Sequence, residues 1–251
     1  MIIVGAGRVG GALARLASDA EAHHTLVTRQ EGWTSIPKSE EPIFVAVRND
    51  DLEAVLEGIA PEHHHRLVFT QNGMLRPWLA RRELSRASRG LLFFAVATRE
   101  APLVPGSESL FTGPHANAVV RWLEQLEVPA RSVEREDFAE VELEKLLWNC
   151  TMGLLCEVTG EPVGGVVEHH APLLSKLVDE LLALGMPSFD LALSPMAQER
   201  LEARLRSYSR SIPDYRAAVK EWPWRNGFFV EVAAEPGLHH ELLTKAGHLP
   251  R

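Results

Sequence analysis

Short apolar runs alternate with helix-like stretches through the first half of the chain. MIIV at the start, TLVTR at 25 to 29, IFVAV at 43 to 47 and RLVFTQ at 66 to 71 read as strands. Strands alternating with helical patterns predict a parallel sheet with crossover helices. Each run gives way to polar or glycine-rich residues, and open α/β sheets bind ligands at such strand ends. LLFFAVAT at 91 to 98 and the turn-rich stretch from Pro102 to Pro114 are expected to continue the sheet in antiparallel form. Beyond about Glu136 helical periodicity takes over, over Asp137 to Val158, Ala171 to Leu184 and Pro195 to Tyr208. The loop Val128-Pro129-Ala130 is the expected link between two domains.

The first strand runs into Gly5-Ala6-Gly7-Arg8-Val9-Gly10, which opens a helix from Gly10 to Ser18. A glycine pattern in that context predicts a dinucleotide loop: Gly5 for the tight turn, Gly7 for close approach of a pyrophosphate, Gly10 for packing of helix on strand. The helix N-terminus would offer its N–H groups to the phosphates. The expected fold class is therefore α/β, a Rossmann-type parallel sheet over residues 1–134 followed by an all-helical domain over 135–251. At the end of the second strand, where a carboxylate would hold the ribose of NAD, stands Arg29. A guanidinium can pair with a 2′-phosphate, so NADP is the expected cofactor. A glycine turn without nucleotide and a solvated arginine are the alternatives that this pattern leaves open.

Composition changes this picture little. With 251 residues, 45% apolar and 24% charged, the chain has room for two globular domains, and no apolar run is long enough for a membrane span. A formal net charge of −8 disfavours nucleic acid as a partner. Cys150 and Cys156 lie six apart on one predicted helix, hence on different faces, which disfavours a disulfide or a metal pair. The run His63-His64-His65 supplies no ligands from separate directions, and His169-His170 and His239-His240 are read in the same way, so no metal is expected. Because the chain passes straight from strand to glycine loop, a cytoplasmic location is expected.

In LEKLLWNCTMGLL, Lys145 and Asn149 stand four apart and share a helix face. An ammonium pressed into apolar surroundings has a tunable pKa and can protonate a carbonyl oxygen as hydride reaches its carbon, with Asn149 fixing its direction. On spacing alone, a snorkelling surface lysine beside a helix-capping or exposed asparagine is the commoner reading.

From Gly5 to Gly227 the order of motifs resembles the ketopantoate reductase (2-dehydropantoate 2-reductase) family, within the wider group of 6-phosphogluconate-dehydrogenase-like reductases. The resemblance is carried by the glycine loop, Arg29, IFVAVR ending at Arg48, Gln71-Asn72-Gly73, and the helix with Lys145 and Asn149. Ser209, twelve positions before Glu221, and Asn226-Gly227, which begins five positions after it, complete the spacing. By this resemblance Lys145 is the general acid, Asn72 lies near nicotinamide and substrate, and Arg48 belongs to the cofactor side. Ser209 would bind the substrate carboxylate, and Glu221 its hydroxyl or the lysine. Departures are Gly153, where the family usually has a second asparagine, Lys220 in place of a threonine, and the aromatic Trp222-Pro223-Trp224. Gly153 predicts a roomier pocket at that turn. The expected activity is NADPH-dependent reduction of a small 2-oxo acid or related carbonyl compound, with that small molecule as the partner and a homodimer compatible. A 3-hydroxyacid dehydrogenase or imine reductase is the alternative enzyme, and an NADPH-binding sensor the non-catalytic one.

Overall fold

The structure, a computed structural model, describes residues 1–250. The chain divides into two compact units, Met1–Phe138 and Ala139–Arg251.

Unit 1 begins with β1 (Ile2–Val4), α1 (Arg8–Asp19), β2 (Thr25–Val27), β3 (Ile43–Val45), α2 (Leu52–Gly58), β4 (Leu67–Phe69) and α3 (Arg76–Arg81). It continues through β5 (Ser88–Leu91), β6 (Phe94–Ala95), β7 (Val104–Pro105), β8 (Ser109–Thr112), α4 (Ala116–Gln125) and β9 (Ala130–Ser132). One seven-stranded sheet has the order β2-β1-β3-β4-β5-β8-β9. Strands β1 to β5 are mutually parallel, β8 is antiparallel to β5, and β9 is parallel to β8.

The central strands are apolar throughout because both faces are covered. Ile3, Phe44, Val68 and Phe111 point to one face, in a core with Leu13 and Ala17 of α1 and Val119 and Leu123 of α4. Their neighbours point the other way, and there Phe69 meets Trp78 of α3 edge-on, with ring centroids 5.7 Å apart.

Two sequence expectations are corrected. Of the run at 91 to 98 only Leu91 belongs to the sheet, as the end of β5, and Phe94–Ala95 pairs with Val104–Pro105 in a separate ribbon; the antiparallel strand, Ser109–Thr112, lies within the stretch from Pro102 to Pro114 as expected. Ala130, expected in a linker, starts the edge strand β9, in register with Ser109 of β8.

The helix α5 (Arg135–Thr159) contains the division between units. At its start Arg135 donates to the carbonyls of Ser85, Arg86 and Ala87. Unit 2 continues with α6 (Val163–His169), α7 (Ala171–Gly185), α8 (Pro195–Ser211), α9 (Asn226–Val232) and α10 (Leu238–Ala246), and has no strand among its described residues. Helix α7 buries Leu174, Leu177, Val178, Leu181 and Leu182, a stripe at helical spacing. That stripe shares the core of unit 2 with Leu143, Leu147, Phe229 and Leu243, all fully buried. No helix is long and apolar enough to cross a membrane among the described residues.

Candidate functional site

In unit 1 the chain runs from β1 through α1 to β2 on one side of β1, then crosses to β3 on the other. Such a reversal leaves a crevice at the carboxyl ends of the two diverging strands. Gly5 follows β1, Arg29 follows β2, Arg48 follows β3 and Asn72 follows β4, and because these strands are parallel all four leave from the same edge.

The glycines of the loop are required for different reasons. Gly5 has φ of +104°, a conformation that side chains disfavour. A Cβ on Gly10 would lie 2.0 Å from the Gly5 carbonyl oxygen and 3.0 Å from Ala46 Cβ, so α1 can approach β1 and β3 only with glycine there. Gly7 is different: a Cβ would meet nothing nearer than the Ala46 oxygen at 3.8 Å. Neither its backbone, at φ −72°, nor packing demands glycine at the N-cap of α1, where no side chain caps the helix and no acidic residue occupies the first turn. The uncapped N–H groups and the open space at Gly7 fit a pyrophosphate. Arg8 begins α1 and reaches the Ala97 carbonyl at 3.5 Å, while Val9 packs against the core.

Arg29 is exposed and forms an ion pair with Asp51. Arg48 is exposed too, 3.6 Å from Asp50. Asn72 is half-buried, and its carbonyl accepts from the buried Asn49 side chain at 2.9 Å. Gln71 is structural: its amide donates to the carbonyls of Val45 and Val47 at 2.9 and 3.1 Å and so ties the ends of β3 and β4 together.

In unit 2, Lys145 and Asn149 lie on α5 and both are half-buried. Although the Lys145 residue keeps some solvent contact, protein surrounds its ammonium. This desolvation, aided by the positive charge of Arg225, pushes its pKa down to about 7. The Asn149 amide turns back along the helix and donates to the Lys145 carbonyl at 2.7 Å. Cys150 is fully buried, and burial pushes its thiol up to about 12.

Ser209, on α8, has no exposed surface. Its hydroxyl accepts from Trp148 Nε1 at 2.9 Å and donates to the Leu205 carbonyl at 2.9 Å, and so joins α5 to α8. In this arrangement the proton expected for a substrate carboxylate is committed within the fold. Glu221 sits in a left-handed turn, with φ 50°, and one carboxylate oxygen lies 2.7 Å from Arg225 Nη2. The roomier pocket expected at Gly153 is not there. A Cβ at that position would meet the Ala218 carbonyl oxygen at 2.8 Å, because the backbone of residues 218–219 lies directly on α5. Glu157, one turn further along α5, fixes this segment by accepting the Val219 N–H at 2.9 Å.

Sequence reading passed over Arg225, whose one visible signal is a charged residue inside an aromatic run, immediately before Asn226-Gly227. It is 9% exposed. The histidines take structural places: His64 Nε2 bonds the Ile59 carbonyl, His63 meets Arg66, and His239 is buried with Nε2 donating to Asn226 Oδ1 at 2.8 Å. No group of three metal-ligating side chains is arranged to hold a metal among the described residues.

No protein-family model matches the chain, and no curated protein matches it. Solved structures do. A ketopantoate reductase of the PanE/ApbA family from Ralstonia eutropha JMP134 is 14% identical, with 99% of each chain covered and a TM-score of 0.74. The dimeric ketopantoate reductase from Staphylococcus aureus is also 14% identical, with 98% of each chain covered and a TM-score of 0.70. D-mandelate dehydrogenase, in its ternary structure with NADH and anilino(oxo)acetate, is 11% identical over 99% of this chain and 98% of that one, with a TM-score of 0.72. A Rossmann-type α/β unit followed by a helical unit is thus the fold this chain has in common with those reductases and dehydrogenases.

Proposed function

We propose that the chain is an NADPH-dependent reductase of a small 2-oxo acid or related carbonyl compound, in which unit 1 holds the dinucleotide and Lys145 of unit 2 donates the proton. The observation that carries this reading is the lysine: its ammonium, depressed to about 7, is matched to proton donation near neutral pH. The fold is that of solved ketopantoate reductases, and the D-mandelate dehydrogenase structure contains NADH and anilino(oxo)acetate.

The dinucleotide, when bound, supplies hydride to the carbonyl carbon. The first-turn N–H groups of α1 and the space at Gly7 receive the pyrophosphate. Arg29, on leaving Asp51, pairs with the 2′-phosphate, and Arg48 adds a second cation on that side. Asn72 orients the nicotinamide end and the substrate. Lys145 Nζ gives its proton to the carbonyl oxygen as the hydroxyl forms. Asn149 fixes the course of α5 beneath the lysine through its bond to the Lys145 carbonyl. A homodimer, as in the Staphylococcus aureus protein, belongs to the same reading.

The test is NADPH oxidation with a panel of 2-oxo acids, together with calorimetric titration of NADPH and NADH into wild type and Arg29→Ala. Losing a charge-assisted contact of about 1.5–3 kcal/mol weakens NADPH roughly 10- to 100-fold and leaves NADH nearly unchanged. Equal weakening of both cofactors removes the assignment of Arg29, and the absence of turnover with every 2-oxo acid removes the reductase.

A further inference from the structure

A 2-oxo acid brings a carboxylate that a desolvated site must neutralise. Ser209 is enclosed and its hydroxyl is committed to Trp148 and Leu205. At Gly153, where another polar group could have stood, the backbone of residues 218–219 fills the space. The carboxylate partner therefore has to be another group.

Residues 221–226 offer one. Arg225 is 9% exposed, and its Nε is buried without a hydrogen-bond partner among the described residues. The adjoining Asn226 is fully buried, with Oδ1 taken by His239 and Nδ2 without a partner among the described residues. Two buried donors on successive residues are unmatched by acceptors, a costly arrangement in a folded interior unless a ligand supplies the acceptors. The Glu221 carboxylate is ion-paired with Arg225 Nη2 at 2.7 Å, yet its buried Oε2 has no hydrogen-bond partner among the described residues, so the Nε–Nη2 edge, suited to side-on bidentate pairing, is left unsatisfied. Glu221 holds that contact from a left-handed backbone that a non-glycine residue adopts only at some strain. The charge of Arg225 also reaches both Lys145 and Cys150 on α5.

We propose that Arg225 is the substrate-carboxylate anchor, with Glu221 as the internal carboxylate that occupies it until a 2-oxo acid takes the Nε–Nη2 edge. This rests on the reductase reading above and makes it narrower: the substrate is an anionic oxo acid, and its neutral amides and esters are poor substrates. A lone aldehyde or ketone lacks the group that Arg225 recognises.

The experiment uses oxamate, an oxo-acid isostere, and its neutral counterpart oxamide, titrated into the protein saturated with NADPH. Arg225→Gln should weaken oxamate on the order of 10- to 100-fold and leave oxamide unchanged, and Arg225→Lys should recover part of the loss. In turnover, Arg225→Gln should raise KM for 2-oxo acids and move the alkaline limb of the pH profile upward, because the charge depressing Lys145 is gone. Glu221→Gln, which removes the competing carboxylate, should tighten oxamate, and it keeps the proposal testable if Arg225→Gln fails to fold. Oxamate binding that survives Arg225→Gln overturns the proposal, as does equal loss of oxamate and oxamide or weaker oxamate binding by Glu221→Gln. A wild type that binds NADPH but not oxamate overturns this anchor alone, and one that binds neither overturns the reductase reading with it.

Discussion

Gly7 and Gly10 are three residues apart in one loop, yet the structure separates their roles. An alanine at Gly10 would put its Cβ 2.0 Å from the Gly5 carbonyl oxygen, a backbone atom held by the turn after β1. Relief requires α1 to move off the sheet, and overpacking against backbone falls at the upper end of the usual range, about 3 kcal/mol. For a chain of this size that corresponds to a fall in Tm of about 6–12 °C. An alanine at Gly7 meets nothing within 3.8 Å. There the weaker helix cap and the reduced freedom of the unfolded chain offset each other to within about 1 kcal/mol. Its methyl group instead enters the space assigned to the pyrophosphate and should weaken NADPH about tenfold or more. Thermal melts of both variants, paired with NADPH titrations, read the two effects separately. If Gly7→Ala melts as low as Gly10→Ala, or binds NADPH like the wild type, the division of roles in the loop is wrong.

Gly153→Ala should destabilise unit 2 by about 1–3 kcal/mol, because the new methyl meets the Ala218 carbonyl, and a denaturant midpoint equal to the wild type would show that the 218–219 segment yields freely. His239 is held neutral by burial, its pKa lowered from 6.5 to about 4, with the charge of His240 adding to the effect. The unfolded chain therefore takes up this proton first on acidification, so the stability from His239 is present above pH 6.5 and is lost as the pH falls toward 4. Denaturant titrations across that window should show a shallower loss for His239→Gln, and parallel curves would refute it. Lys145 gives a slope at alkaline pH: because its pKa is lowered from 10.5 to about 7, the cost of burying its charge is relieved as pH rises between those values. The wild type should thus gain stability relative to Lys145→Met from pH 7 to pH 10, and a constant difference between the two would contradict the depressed pKa.

The strands β1, β3 and β4 were legible because burial on both faces makes them uninterrupted apolar runs, and the glycine loop because a strand precedes it and a helix follows. The edge strand β9 was not: only Ala130 of its three residues is buried, and Pro129 before it reads as a turn. Lys145 and Asn149 were placed on one helix by spacing. The direction of the Asn149 amide depends on its rotamer, which spacing does not specify. Gly153 misled because the sequence shows the missing side chain and not the backbone of residues 218–219, some 65 positions away, that fills its place. Arg225 was passed over for a similar reason: its burial and its pairing with Glu221 are products of the Trp222–Trp224 turn and the start of α9.

The most direct test of the account is the single-turnover rate of a 2-oxo acid with bound NADPH in wild type and Lys145→Ala, measured from pH 6 to pH 9. In the wild type the rate should be high on the acid side and fall as the pH passes about 7, where the lysine loses its proton. Lys145→Ala should be slower by about 10²- to 10⁴-fold at neutral pH, lack that titration, and bind NADPH as the wild type does. A variant that turns over at the wild-type rate, or a wild-type profile flat through pH 7, would contradict proton donation by Lys145.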